Sequence, residues 1–226
     1  MTEPAARFQP LQFTRLRPEE MLARAEAMRD ELRGRRSVRA FSDEPIPEGV
    51  VEACVEAAGL APSGANRQPW TFVLVSDAKT KRAIREAAER EERELYERRI
   101  TPEWREALAP LGTNWEKPFL ERAPVLCVLF RHSFDVEEGR KRTNYYTQES
   151  VGIALGFFLA ALHRAGLATL THTPSPMGFL AELLGRPKGE KPYVLLPIGF
   201  PEEGCEVPSI EKKSLDEILV RFSPRA

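Results

Sequence analysis

The segment "RRSVRAF", residues 35–41, places Arg35, Arg36, Ser37 and Arg39 within five positions of a chain whose formal net charge is only −1. Arginine suits a phosphate because its planar fork offers two parallel charge-assisted hydrogen bonds. Arg35 and Arg39 are four apart, Arg36 points elsewhere, and Ser37 adds a hydroxyl donor. Two readings stand at this point: a bound anion, or ordinary solvated charge where a helix ends. A second stretch, "PSGANRQPW" (62–70), carries the small run Ser63-Gly64-Ala65, which lets backbone N–H groups approach a flat or anionic ligand closely. Taken on composition alone, the two stretches point to a phosphorylated cofactor and go no further.

Other chemistries lack their residues. No GxGxxG follows a strand, no GxxxxGK[ST] loop occurs, and "GRPKGEK" has the wrong spacing to cradle a phosphate. His132, His163 and His172 have no carboxylate or cysteine neighbours at metal-ligand spacing, so no metal is expected. No Ser/His/Asp arrangement supports hydrolysis. Cys54, Cys127 and Cys205 are odd in number and widely spaced, which fits neither a disulfide framework nor a zinc site and suits a reducing compartment. Cys54 and Cys127 lie in apolar stretches and read as core residues.

The elements that must position these groups alternate between helix and strand. Residues 1–16 read as an extended arm. A helix opens at Pro18, with Met21, Leu22, Ala25, Met28 and Leu32 on one face, and ends at Gly34. A second runs from Pro47 to a Gly59 cap. "WTFVLV" (70–75), "PVLCVLF" (124–130), "LATLT" and "YVLLPIGF" read as strands. After a capping Asp77, the helix "TKRAIREAAEREERELYERR" buries Ile84, Ala87 and Ala88 and then loses its apolar face; it either leaves the body as a lid or ends in solvent. Residues 147–165 are apolar nearly all round, so they need cover on every side, and a subunit interface is one way to supply it. A short helix around "MGFLAELLG" and an apolar tail complete the chain. The expectation is an α/β or α+β domain around one central sheet, with no linker that splits it.

With 226 residues, 42% of them hydrophobic, the chain can bury a single sizeable core. Charged residues make up 30% with balanced signs, so nothing electrostatic favours nucleic acid or an anionic membrane as partner. The most hydrophobic stretch, "SVGIALGFFLAALHRAGLA", is interrupted by glycines, His163 and Arg164 and falls short of the roughly 20 apolar residues of a spanning helix. A cytoplasmic protein is expected.

The runs "RRSVR", "APSGA", "PWTFV", "TNWEK", "NYYTQESVGIALGFFLAALHRAGL", "THTP", "LLGRP" and "LLPIGFP" resemble the nitroreductase superfamily and, within it, the iodotyrosine deiodinases, over about residues 33–220. That resemblance implies an α+β fold with a mixed, mainly antiparallel sheet flanked by helices, in an intertwined homodimer with FMN at the subunit interface. It implies one FMN-binding domain over 1–226, with a substrate lid at about 79–117. Arg35, Arg36, Ser37 and Arg39 would hold the FMN phosphate and ribityl chain, with Lys212 as a further basic residue. Pro62, Ser63 and Gly64 would line the flavin across the interface, and Thr171, His172 and Thr173 would lie beside its ring. The Thr173 hydroxyl would serve flavin N5, favouring one-electron steps.

By the same resemblance, Glu92, Tyr96 and Lys117 would bind the zwitterionic end of an amino acid, and the Ala65 N–H the phenolate oxygen. Glu92 and Tyr96 are four apart, hence on one helix face, and Lys117 can fold back after a break at Pro110 and Gly112. The implied reaction is reductive dehalogenation of mono- and diiodotyrosine to tyrosine and iodide. The electron donor is unknown, either NAD(P)H or a reductase. A general NAD(P)H-dependent nitroreductase or quinone reductase is the rival enzyme, and a non-catalytic flavin- or amino-acid-binding protein the rival of another class. Three departures from the animal members stand out: no N-terminal membrane anchor, His172 for a threonine, and Lys212 for an arginine.

Overall fold

The structure, a computed structural model, describes residues 6–222. It divides into two compact units, Met1–Arg35 and Arg36–Ala226. In the first, residues 6–17 carry no helix or strand and α1 spans Pro18–Arg33. Pro18 supplies the fixed φ of a first helical position, and Glu19 and Glu20 sit in the first turn, where the helix dipole favours anions. Its apolar residues Met21, Leu22, Met28 and Leu32 are exposed.

The second unit is built on a four-stranded sheet of order β1-β2-β6-β5, formed by β1 (Trp70–Val75), β2 (Val125–His132), β5 (Ala168–Thr169) and β6 (Glu190–Gly199). Every pairing is antiparallel: β1 meets β2 from Trp70↔Arg131 to Val75↔Leu126, and β2 meets β6 with a bulge at Leu129/Phe130. A parallel bridge from Ser37 to Thr169 makes the sheet mixed. Strand period decides the two faces. Leu126, Val128, Phe130 and Leu195 pack with Ile84, Phe119, Leu120 and Leu180 on one side. Cys127, Leu129, Val194, Leu196 and Ile198 pack with Cys54, Ala58, Phe158 and Leu162 on the other.

The first side is covered by α3 (Ala78–Glu94), α5 (Phe119–Arg122) and α7 (Gly178–Leu183); the second by α2 (Val50–Gly59) and α6 (Thr147–Arg164). α2 starts at Val50 rather than Pro47, because Gly49 turns with φ 83°, a conformation helical residues cannot adopt. β1 is an edge strand, so only its last residue, Val75, is buried. Between α3 and α5 lie a π-turn (Leu95–Arg99) and α4 (Pro102–Leu108). A hairpin of β3 (Phe134–Glu137) and β4 (Arg140–Thr143) follows β2, and α8 (Leu215–Ile218) closes the described chain. α6 is covered only in part: Ile153 and Phe157 remain 43% and 45% exposed.

Candidate active site

The capping Asp77 accepts from the Thr80 N–H at 2.7 Å, and Ile84, Ala87 and Ala88 turn α3 toward the core. Past Ala88 the helix does not leave the body. Its inward face continues through Glu92 and Leu95, so a carboxylate occupies a buried position where the pattern would call for an apolar residue. The chain then passes through the π-turn and α4, reverses at Gly112 (φ 58°), and returns Lys117 to Glu92.

Lys117 Nζ lies 3.3 Å from Glu92 Oε2 and 5.7 Å from the centre of the Tyr96 ring. It also donates to Asn114 O and, at 3.5 Å, to Thr113 Oγ1, while Tyr96 Oη donates to Thr113 O at 3.2 Å. Glu92 is 8% and Lys117 3% exposed, so this is a buried ion pair. Burial pushes the Glu92 carboxyl above its ordinary range against the pull of Lys117, and pushes the Lys117 ammonium below its own. Burial likewise raises the Tyr96 phenol. The three expected lid residues therefore meet. Two further arginines hold the segment: Arg99 Nη2 donates to Glu91 O at 2.9 Å and Ser175 O at 2.8 Å, and Arg105 Nη2 to Tyr96 O at 2.7 Å. The sequence reading missed both, since neither stands out in a run crowded with charges.

The arginine segment runs beside the sheet. Ser37 bridges to Thr169, and Val38 N–H donates to Thr169 O at 3.2 Å, so residues 37–39 lie along the chain that leads to Thr171–Thr173. Arg39 is half-buried, and its charge acts on Tyr96, Lys117 and His172. Arg36 Nη2 donates to Pro208 O; Lys212, four residues further on, is exposed. Arg35 ends the first unit, its N–H donating to Leu32 O at 3.1 Å.

Thr171 and Thr173 are exposed, whereas His172 between them is buried. His172 exchanges two backbone hydrogen bonds of 2.9 Å with Leu195 and sets its ring edge-on to Phe119, 5.8 Å between centres. Burial, aided by Lys117 and Arg39, drops its pKa to about 3, so the imidazole is neutral. Its Nε2 is the one buried side-chain nitrogen or oxygen without a partner among the described residues. Thr171 and Thr173 thus flank a buried neutral imidazole on which the Arg39 charge acts.

Pro62, Ser63, Gly64 and Ala65 form a separate loop. A Cβ on Gly64 would stand 2.8 Å from Tyr145 O, so only glycine fits. The amides of Gly64, Asn66, Arg67 and Gln68 donate to Ser150 Oγ, Ser63 O, Gly64 O and Ser63 Oγ at 2.9–3.3 Å. The Ala65 amide alone in that run has no partner among the described residues, and Ala65 is exposed, so this donor is open to solvent. Within one chain, no hydrogen bond or ion pair among the described residues joins this loop to the segment that carries Glu92, Tyr96 and Lys117. What the sequence reading did not single out is Arg67, which ties the loop to the β3–β4 hairpin.

A family model described as the nitroreductase family matches residues 32–200. An iodotyrosine deiodinase of Haliscomenobacter hydrossis is 52% identical over 216 residues, covering 95% of this chain and 97% of its own. Iodotyrosine deiodinase 1 of Rattus norvegicus is 47% identical over 210 residues, covering 92% and 73%. Among solved structures, oxidized iodotyrosine deiodinase bound to FMN and 3-iodo-L-tyrosine superposes with a TM-score of 0.75 at 31% identity, over 88% of this chain and 100% of that one. A Bacteroides fragilis nitroreductase with bound FMN shares the fold at a TM-score of 0.62 and 20% identity, over 87% and 98%.

Proposed function

The chain belongs to the nitroreductase family, and from that premise we propose that it is an FMN-dependent oxidoreductase that removes halogen from halotyrosines, mono- and diiodotyrosine among them. The observation that carries this reading is the buried Glu92–Lys117 pair beside Tyr96. Reduction of a nitroaromatic or a quinone has no use for a desolvated carboxylate and ammonium side by side. A free amino acid does: its ammonium replaces Lys117 as the partner of Glu92, and its carboxylate replaces Glu92 as the partner of Lys117, with the Tyr96 hydroxyl as an additional donor. Each buried charge then keeps a counter-charge when the ligand enters.

FMN fits the donor set beside the sheet. Arg35, Arg36, Ser37 and Arg39, with Lys212, would hold its phosphate and ribityl chain, and Thr171 and Thr173 offer exposed hydroxyls for its ring, Thr173 at N5. His172 serves from behind through its backbone, since its side chain is buried against Phe119. FMN bound there, once reduced by NAD(P)H or a reductase, would supply the two electrons that, with one proton, replace the carbon–iodine bond by carbon–hydrogen and release iodide. The chain's own residues orient and exclude water. The lid fixes the amino-acid end, and the unpartnered Ala65 amide holds the phenolate oxygen.

Among the described residues the loop that carries Ala65 makes no hydrogen bond or ion pair to the lid of its own chain, and α6 leaves Ile153 and Phe157 uncovered. Both features support a homodimer in which Pro62, Ser63, Gly64 and Ala65 of one chain complete the site of the other. No helix among the described residues is long and apolar enough to cross a membrane. A reducing, cytoplasmic setting is part of the proposal.

The test is anaerobic. The purified protein, checked for flavin absorbance and reduced, is mixed with 3-iodotyrosine while iodide and tyrosine are measured. One iodide and one tyrosine per reduced flavin support the reading. Bound flavin that releases no iodide but turns over nitroaromatics rapidly with NAD(P)H would sink it and leave a general reductase on the same fold.

A further inference from the structure

The loop that presents the Ala65 amide is built from backbone that most residues avoid. Ala65, Asn66 and Gln68 all have positive φ, at 50°, 53° and 48°, although each carries a Cβ. Such conformations persist only where their surroundings over-determine them, and they gather at ligand-binding positions. Here the surroundings converge on Arg67. Its Nε donates to Asn144 Oδ1 at 3.0 Å, its Nη2 to Asp135 Oδ2 at 3.1 Å, and its Nη1 lies 2.8 Å from Glu137 Oε1. All three guanidinium nitrogens are thus engaged, by three acceptors from the β3–β4 hairpin and its exit.

The acceptors are themselves fixed. Asn144, 7% exposed, donates from Nδ2 to Asp135 Oδ2 at 3.0 Å. Asp135 Oδ1 lies 3.0 Å from His132 Nδ1, and His132 Nε2 lies 2.8 Å from Thr71 Oγ1 on β1. The chain of contacts therefore runs from the loop, through the hairpin, to the central sheet. Among the described residues, none of these side chains is hydrogen-bonded or ion-paired to the lid or the arginine segment.

We propose that Arg67 is a positioning residue: it clamps the strained loop to the hairpin so that the Ala65 amide is held ready for the phenol oxygen of the substrate. The identity of that ligand rests on the dehalogenase reading; the clamping of the loop does not. A lysine at this position would keep one charge but lose the fork that reaches three acceptors at once.

The experiment uses the FMN-bound protein as wild type, Arg67→Ala and Arg67→Lys, with Asp135→Asn as a second way to open the clamp should Arg67→Ala fail to fold. Hydrogen exchange is followed over residues 63–68, and binding of 3-iodotyrosine is compared with that of 3-iodophenylalanine, which lacks the phenol oxygen. The expected result is faster exchange in the loop and about tenfold weaker binding of 3-iodotyrosine, as befits charge-assisted bonds to partly exposed groups. 3-Iodophenylalanine binding, scored per bound flavin, stays unchanged, and Arg67→Lys falls between. Unchanged exchange overturns the proposal, and so does faster exchange that weakens both ligands equally or neither. A wild-type protein that binds no halotyrosine sinks the dehalogenase reading instead; the exchange rates then judge the clamp by themselves, faster loop exchange supporting it and unchanged exchange overturning it.

Discussion

Glu92 and Lys117 are each costly alone and tolerable together. Replacing one partner strands the other charge where water cannot reach it, whereas replacing both by apolar residues of similar size removes the desolvation cost altogether. Lys117→Met should therefore lower stability by about 3 kcal/mol, and Glu92→Leu combined with Lys117→Met should restore or exceed wild-type stability, as thermal melts would show. Neither variant should bind a halotyrosine detectably, so stability and function part company at this pair. His172 makes a second, independent claim. Its pKa falls from 6.5 to about 3 on folding, so between those values the unfolded chain binds the extra proton and acid favours unfolding. The sign is that of a depressed group: the contribution is complete above 6.5 and lost as pH falls toward 3. A His172→Asn variant should show a flatter stability curve across that window in denaturant titrations, and an unchanged slope would count against a neutral, buried imidazole.

At the scale of elements, the strands and helices that make the sheet were legible because their periods are strong: β2 alternates between two cores, and the Asp77 cap marks the start of α3. The β3–β4 hairpin was not legible, since "FDVEEGRKRT" has almost no apolar residues to betray a strand and owes its place to Arg67 and Asn144. The loss of an apolar face past Ala88 was legible, but not the burial of Glu92 beyond it, which only a distant lysine, brought back through Gly112, makes possible. The arginine segment and "PSGANRQPW" were singled out by residue type as candidate ligand-binding stretches, while the unpartnered Ala65 amide follows from backbone angles that residue types do not encode. α6 supplies an element-scale prediction. Ile153 and Phe157 are four apart on its uncovered face, so Phe157→Arg should leave the monomer's fold intact, because the side chain is already 45% exposed. If α6 forms the proposed homodimer interface, the same change should shift the protein from dimer to monomer in sedimentation velocity, by placing unpaired charge on that apolar face; a wild type that sediments as a monomer would sink the proposed interface.

For the molecule as a whole, the surface tells a consistent story. In the second unit, apolar side chains stand exposed on α6 at Ile153 and Phe157 and along the tail at Leu215, Ile218, Leu219 and Phe222, faces of the kind that a partner covers. If each site draws its lid from one chain and its Ala65 loop from the other, then the working unit is a pair, and defects on different chains need not coincide. A protein carrying Lys117→Ala and a protein carrying a collapsed loop, Gly64→Val, should each be inactive alone. Unfolded together and refolded, they should form mixed pairs in which one site inherits both defects and the other inherits none. Random pairing makes half the population mixed, so about a quarter of wild-type dehalogenation should reappear from two dead preparations. Under the proposed pairing, the lack of any hydrogen bond or ion pair between the Ala65 loop and the Glu92–Lys117 segment among the described residues of one chain reads as shared ownership: each active site would be a joint property of two molecules, with genetic complementation between subunits as its signature.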